Sequence, residues 1–154
     1  MFKKLFGGEK DTTRSSSFLP LPVVGYSQET GFEAGVVTLY SFYTDRADTL
    51  TRNSTLTGVA TFTTKKQSNF QFKTNIWQPQ NRYHYETEIR YKNFPLNYYG
   101  IGAETLEANE SKITQKLFRL NAEAEKLFGK ISYTGLTASF ENYKFEYEDT
   151  FVPL

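Results

Sequence analysis

His84, Glu86, Glu88 and Arg90 alternate along one stretch of the chain, and they come nearest to an active-site constellation. Two carboxylates on one strand face, beside an imidazole and a guanidinium, could divide acid and base work as in glycoside hydrolysis. Such rows more often form a solvated or channel-lining series of ion pairs, because shifted carboxyl pKa values need burial that spacing does not supply. Ser–His–Asp chemistry around His84 lacks a nucleophile elbow. Gly100-Ile-Gly102 lacks the third glycine and the preceding βα context of a dinucleotide loop, so it reads as a turn. Asn53-Ser-Thr55 and Asn109-Glu-Ser111 match the glycosylation sequon, a pattern common by chance. Lys65-Lys66 is too short for nucleic acid. With no cysteine and a single histidine, disulfide frameworks, thiolate chemistry and multi-histidine metal sites are excluded. The chain reads as a non-enzyme without a cofactor.

The elements that would carry those residues have period two. Phe70, Phe72, Thr74 and Ile76 oppose Gln71, Lys73 and Asn75, and Trp77 closes the run. After the turn Gln78-Pro-Gln-Asn81, Tyr83, Tyr85, Thr87, Ile89 and Tyr91 oppose His84, Glu86, Glu88 and Arg90. Two alternating runs joined by a short polar turn are a hairpin. Upstream, Leu56, Gly58, Ala60 and Phe62 oppose Thr55, Thr57, Thr61 and Thr63. Before them Phe32, Ala34, Val36, Tyr40 and Phe42 share a face within 31–43. Phe18-Leu-Pro-Leu-Pro-Val-Val is an extended, Pro-spaced segment that cannot be helical, and residues 25–30 form a turn.

Residues 92–112 form the longest irregular stretch. The segment after it is ambiguous. Ile113, Leu117, Leu120, Ala124 and Leu127 recur at helical spacing in a run rich in Glu, Lys, Leu and Ala. Phe118, Leu120, Ala122 and Ala124 also alternate with Arg119, Asn121, Glu123 and Glu125. For Gln115 to Phe128 local propensity favours helix, and periodicity does not decide. Leu136, Ala138 and Phe140 then alternate with Thr137, Ser139 and Glu141. The count is about six strands, with the long 92–112 connection on the same side as the N-terminus.

The 154 residues bound one domain. Residues 1–17 read as a flexible lead-in, whose Gly7, Gly8 and Glu9 end the apolar stretch before a signal-peptide core forms. The net charge of +1 gives no broad electrostatic hold on nucleic acid. No apolar run reaches the roughly 18 residues of a membrane-spanning helix. Aromatics make up 17% of the chain, with 14 Phe and 11 Tyr beside one Trp and one Met. That composition favours strands. Runs of ten or more alternating residues are long for a soluble sheet and suit a tilted crossing of a hydrocarbon layer. Tyr43, Trp77, Tyr83, Tyr91, Tyr98, Tyr99, Tyr133 and Phe145 fall near strand ends, where interfacial girdles occur. Gly58, Ala60, Ala122 and Ala124 on the apolar side suit a lipid-facing wall. A membrane barrel and a soluble barrel or sandwich binding a small apolar or sugar ligand share this pattern. They differ in which face meets water.

Two stretches carry a resemblance. Residues 18–35, with Tyr-Ser-Gln-Glu-Thr-Gly at Tyr26 to Gly31, resemble the entry into the barrel of BamA/TamA-like bacterial surface-antigen proteins, the Bacteroidetes type in particular. Phe94-Pro-Leu-Asn-Tyr-Tyr-Gly-Ile-Gly102 is similar to a segment between later strands of the same barrels. The resemblance implies an antiparallel up-and-down transmembrane β-barrel in a Gram-negative outer membrane. It implies a non-enzymatic role in inserting or translocating outer-membrane proteins, with membrane lipid and client proteins as partners and no nucleic acid. Six strands are too few to enclose such a lumen, so residues 18–154 read as the N-terminal part of the barrel. A lateral seam is implied at the first strand, carried by Phe32, Ala34, Val36, Tyr40 and Phe42. Lys73, Glu86, Glu88, Arg90, Arg119 and Glu123 are the charges expected to face the lumen. The resemblance also makes Gln115 to Phe128 a strand.

Overall fold

A computed structural model describes residues 15–98 and 111–148. Over these residues the chain is one seven-stranded antiparallel sheet in simple up-and-down order, open at both edges. The strands are β1 (Ser17–Ser27), β2 (Gly31–Phe42), β3 (Ser54–Thr63), β4 (Ser68–Trp77), β5 (Tyr83–Tyr98), β6 (Ser111–Phe128) and β7 (Ser132–Glu148). A single 3₁₀ turn, Pro79–Asn81, joins β4 to β5. The strand runs expected from alternation are present, and the fold class is all-β.

Three features differ from the sequence expectation. Residues 17–27 are a full strand rather than an extended lead-in and turn, so the count is seven. Two prolines concealed it. Phe32 O accepts a hydrogen bond from Thr64 N (2.9 Å), so the even-numbered residues of β2 bond toward β3 and the odd-numbered ones toward β1. In β1 the residues facing β2 are therefore the odd-numbered partners, and Pro20 and Pro22 turn their missing N–H to the outside. Proline is tolerated in that position on an edge strand.

The extra strand also changes which strand stands at the edge: the strand expected to be first is second. β2 is hydrogen-bonded along its length to β1 on one side and β3 on the other. Phe32, Ala34, Val36, Tyr40 and Phe42 thus lie inside the sheet, and the free edge passes to β1. The same shift by one strand puts the β5–β6 connection at the end of the sheet opposite Ser17. Its central residues 99–110, including Gly100-Ile-Gly102, Tyr99 and Asn109, lie outside the described residues, as do residues 1–14 of the lead-in. The stretch 92–98, expected to be irregular, continues β5.

β6 settles the helix–strand ambiguity as an 18-residue strand. A helix could bury one stripe; a strand bonded on both sides satisfies every backbone group and sorts its side chains to match its neighbours. Phe118, Leu120 and Ala124 fall beside Tyr91, Ile89 and Tyr85, while Arg119, Asn121 and Glu123 fall beside Arg90, Glu88 and Glu86. Tertiary pairing overrides the local propensity of Glu, Lys and Ala.

Candidate functional site

The registers align parity across all seven strands, so each face can be read as rows. One row runs Pro20, Thr38, Gly58, Phe72, Ile89, Leu120, Phe140. The next runs Pro22, Val36, Ala60, Phe70, Tyr91, Phe118, Asn142. This face is an apolar band of aromatic, aliphatic and small residues. Among the described residues no second layer covers it: Phe72 is 45% exposed, Ile89 41% and Leu136 85%. The band drifts along the strands, from Tyr26 and Phe32 near one end of β1 and β2 to Tyr83 and Leu136 near the other end of β5 and β7. Strands tilted against a level apolar slab produce such a drift.

The opposite face is more sheltered. Thr61, His84 and Leu117, all on it, are buried, and Leu117 at 8% is the one buried hydrophobic residue among those described. Crowding on one side with exposure on the other is what a sheet curled toward its polar side gives. All six charges expected to face a lumen lie here: Lys73 pairs in register with Glu88, Arg90 with Arg119, and Glu86 with Glu123.

Their chemistry divides the face. Glu88, mostly buried, is a shared acceptor: Gln71 Nε2 donates to it at 2.9 Å, and Lys73 Nζ and Arg90 Nε stand at 3.4 Å. Arg119, directly opposite Arg90, is neutralised from β7 by Glu141, which also accepts from Tyr143 Oη at 3.2 Å. Each arginine thereby has a carboxylate beside it, Glu88 shared with Lys73 and Glu141 from β7, which offsets the repulsion of two cations across one rung. Glu86 and Glu123 face one another and make no ion pair among the described residues. With Asn121, Thr137 and Ser139 they line an open depression of about 310 Å³. The alternation His84, Glu86, Glu88, Arg90 is therefore an ion-pair row in its Glu88–Arg90 half and a like-charged pair at Glu86. Glu88→Gln, which keeps the shape but loses the charge, is expected to cost about 1–2 kcal/mol. Glu86→Gln is expected to be neutral or slightly stabilising. Urea unfolding midpoints of the two variants in detergent read the difference in sign.

One end of the polar face is closed by a cluster that residue types alone did not suggest. Trp77 stacks on His84 with centroids 3.9 Å apart, meets Tyr133 edge-on at 6.0 Å, and carries the Arg52 guanidinium 4.6 Å above its ring. His84 Nδ1 lies 2.8 Å from Glu125 Oε2. The β2–β3 loop is pinned beneath by the β4–β5 turn. Gln80 N donates to Asp48 Oδ2 (2.7 Å) and Thr51 Oγ1 (2.9 Å), Asn81 Nδ2 donates to Leu50 O (2.7 Å), and Arg52 N donates to Asn81 Oδ1 (2.8 Å). Trp77 N donates to Ser54 Oγ, and Ser54 is fully buried. The signal lay in register: a hairpin turning at residues 78–82 sets Trp77 opposite His84 on the polar side.

At the other end of β5–β7 the polarity of the two faces exchanges. Past Tyr91 and Phe118 the formerly apolar face carries Asn93, Lys116, Asn142 and Lys144, while the formerly polar face carries Phe94, Leu117, Ile113 and Phe145. There Lys116 and Lys144 both pair with Glu146, at 2.6 and 3.2 Å. Hydrogen bonds from Lys116, then Lys144, hold the Glu146 carboxyl below its usual range, at a point beyond the apolar band.

No family model, curated protein or solved structure matches this chain.

Proposed function

We propose that this chain is part of an outer-membrane β-barrel, set with its apolar band against lipid and its ion-pair face toward water. In line with the resemblance at residues 18–35 and 94–102, it serves non-enzymatically in inserting or transporting proteins at the outer membrane, with lipid and client β-strands as its partners. One observation carries the reading: a single-layer sheet leaves Phe70, Phe72, Tyr85 and Ile89 uncovered on one side while the other side gathers salt bridges. A soluble barrel or sandwich would seal those four residues inside. A hydrocarbon slab supplies the missing cover, and strands of 10 to 12 residues (β1 to β4) have the length to cross it.

The absence of cysteine makes the test direct. Single cysteines placed from 70 to 76, spin-labelled and reconstituted in vesicles, are expected to alternate. Labels at 70, 72, 74 and 76 should be relaxed by oxygen dissolved in lipid, and those at 71, 73 and 75 by a water-soluble nickel chelate. Even positions sheltered from both reagents, in protein that stays monodisperse without detergent, would replace the membrane reading with the soluble, ligand-binding one.

A further inference from the structure

The polar face holds a second cleft, apart from the Glu86–Glu123 depression, and its polar groups are short of partners. It encloses about 300 Å³ between β2 and β5. Glu33 stands on its β2 side, Thr61 and Asn69 meet in register in its middle, and Arg90, Lys92 and Phe94 follow one another along β5. Lys92 lies directly across from Asn69. Its ammonium sits 4.4 Å from the Phe94 ring centroid and has no carboxylate beside it among the described residues. Arg90 has only a share of Glu88, which also serves Lys73, and its buried Nε makes no hydrogen bond. The β5 wall therefore keeps a positive surplus, with a guanidinium whose donors are largely unused, and unused buried donors are costly. Glu33, across the cleft, is the one carboxylate among the described lining residues and makes no ion pair among them.

We infer that this cleft binds a single acidic sugar, its carboxylate on Arg90 and Lys92 and its ring hydroxyls on Asn69, Thr61 and Glu33. The guanidinium fork matches the two oxygens of a carboxylate, and the lysine adds a point charge. A lone inorganic anion is too small for the space, which is roughly ten times the volume of a water molecule. A nucleobase needs an aromatic ring to stack on, and Phe94, the one ring in the described lining, already carries Lys92. An extended peptide needs free backbone groups, and β3 and β4, which run through the cleft, are bonded to neighbours on both sides. Side chains alone remain for recognition, and a ring of hydroxyls answers hydroxyl, amide and carboxylate partners together. The cleft lies within β2 to β5, with β1 on one side and β6 and β7 on the other, so a strand added at either edge leaves it open. It stands on the polar face in a membrane setting and in a soluble one alike, and so goes beyond the proposed function without resting on it.

The probe is glucuronate, titrated into the isotope-labelled full chain in zwitterionic micelles at low salt, with glucose and sulfate as controls. Glucuronate should move the Asn69 side-chain amide signal saturably and bind roughly tenfold or more tighter than glucose. Lys92→Gln, which breaks no ion pair, should remove most of that advantage. Arg90→Lys, which keeps the charge and loses the fork, should weaken glucuronate as well. Lys116→Gln, a cation on the opposite face, should leave binding as it was. Sulfate bound as tightly as glucuronate means an adventitious ion only and overturns the inference. Glucose bound as tightly as glucuronate, or no shift at Asn69 in protein with its strand signals intact, overturns it too. The spin-label alternation is read separately. Its failure with glucuronate bound removes the membrane setting and leaves the cleft in place; glucuronate binding absent with the alternation intact removes only the sugar.

Discussion

Phe72→Arg is expected to lose about 2–4 kcal/mol of folding free energy in a bilayer, whereas Asn75→Arg, on the opposite face of the same strand, is expected to stay within about 0.5 kcal/mol. Phe72 sits in the row Gly58–Phe72–Ile89, in the middle of the apolar band and far from either end of β4. A guanidinium there must be carried into hydrocarbon or must drag water and headgroups toward it. Asn75 points the other way and stands in register with Glu86, which faces Glu123 and makes no ion pair among the described residues, so an added arginine finds a carboxylate within reach. Reversible urea unfolding in vesicles of short-chain lipid measures both. The contrast depends on orientation and not on side-chain size: if Phe72→Arg is tolerated and Phe72→Ala is not, the position is a packed interior and not a lipid wall.

Trp77→Ala is expected to cost about 3 kcal/mol, the largest loss from a single truncation on the polar face. Its ring is shared by His84, Tyr133 and Arg52, so removal leaves a void between β4, β5 and β7 and uncovers the loop under it. Trp77→Phe keeps part of the stack and should retain roughly half of that stability. The local consequence is measurable apart from the global one. The amide of Gln80, held by Asp48 and Thr51, should exchange faster in Trp77→Ala even where the strands remain paired. Equal exchange at Gln80 and at mid-strand amides would show that the cluster does not brace the turn.

Much of this arrangement is legible from period two alone. The separation of Phe70, Phe72 and Ile89 from Lys73, Glu86 and Arg90 is written in alternation, and the sheet keeps it. The hairpin at residues 78–81 lies where its turn residues place it. β1 was hidden because prolines, read as breakers, are harmless when their nitrogen faces an open edge, and the direction of that nitrogen depends on register with β2. For β6 the resemblance implied a strand while the pattern left it open, for the opposite reason: Glu, Lys and Ala favour a helix in isolation, and only two neighbouring strands make the extended form better. The Trp77 cluster required knowing that a loop between β2 and β3 folds over a turn between β4 and β5, a contact between segments about 30 residues apart in sequence. Alternation also does not say which face meets water. The uncovered aromatic rows bear on that question more than any residue pattern does.

The exchange of polarity along β5–β7 has a consequence for the shape of the opening. β1 and β2 end in their turn just past Tyr26 and Phe32, still within the oily zone, whereas β5, β6 and β7 continue past theirs by several residues with hydrophilic side chains on the outside. In a lipid setting the wall is then low on one flank and tall on the other, an oblique mouth. Under the proposed membrane setting, anything passing between the membrane plane and the polar side would meet its shortest path over the β1–β2 flank, and the β5–β7 flank would stand in solvent as a parapet with Phe94, Ile113 and Phe145 on its inner side.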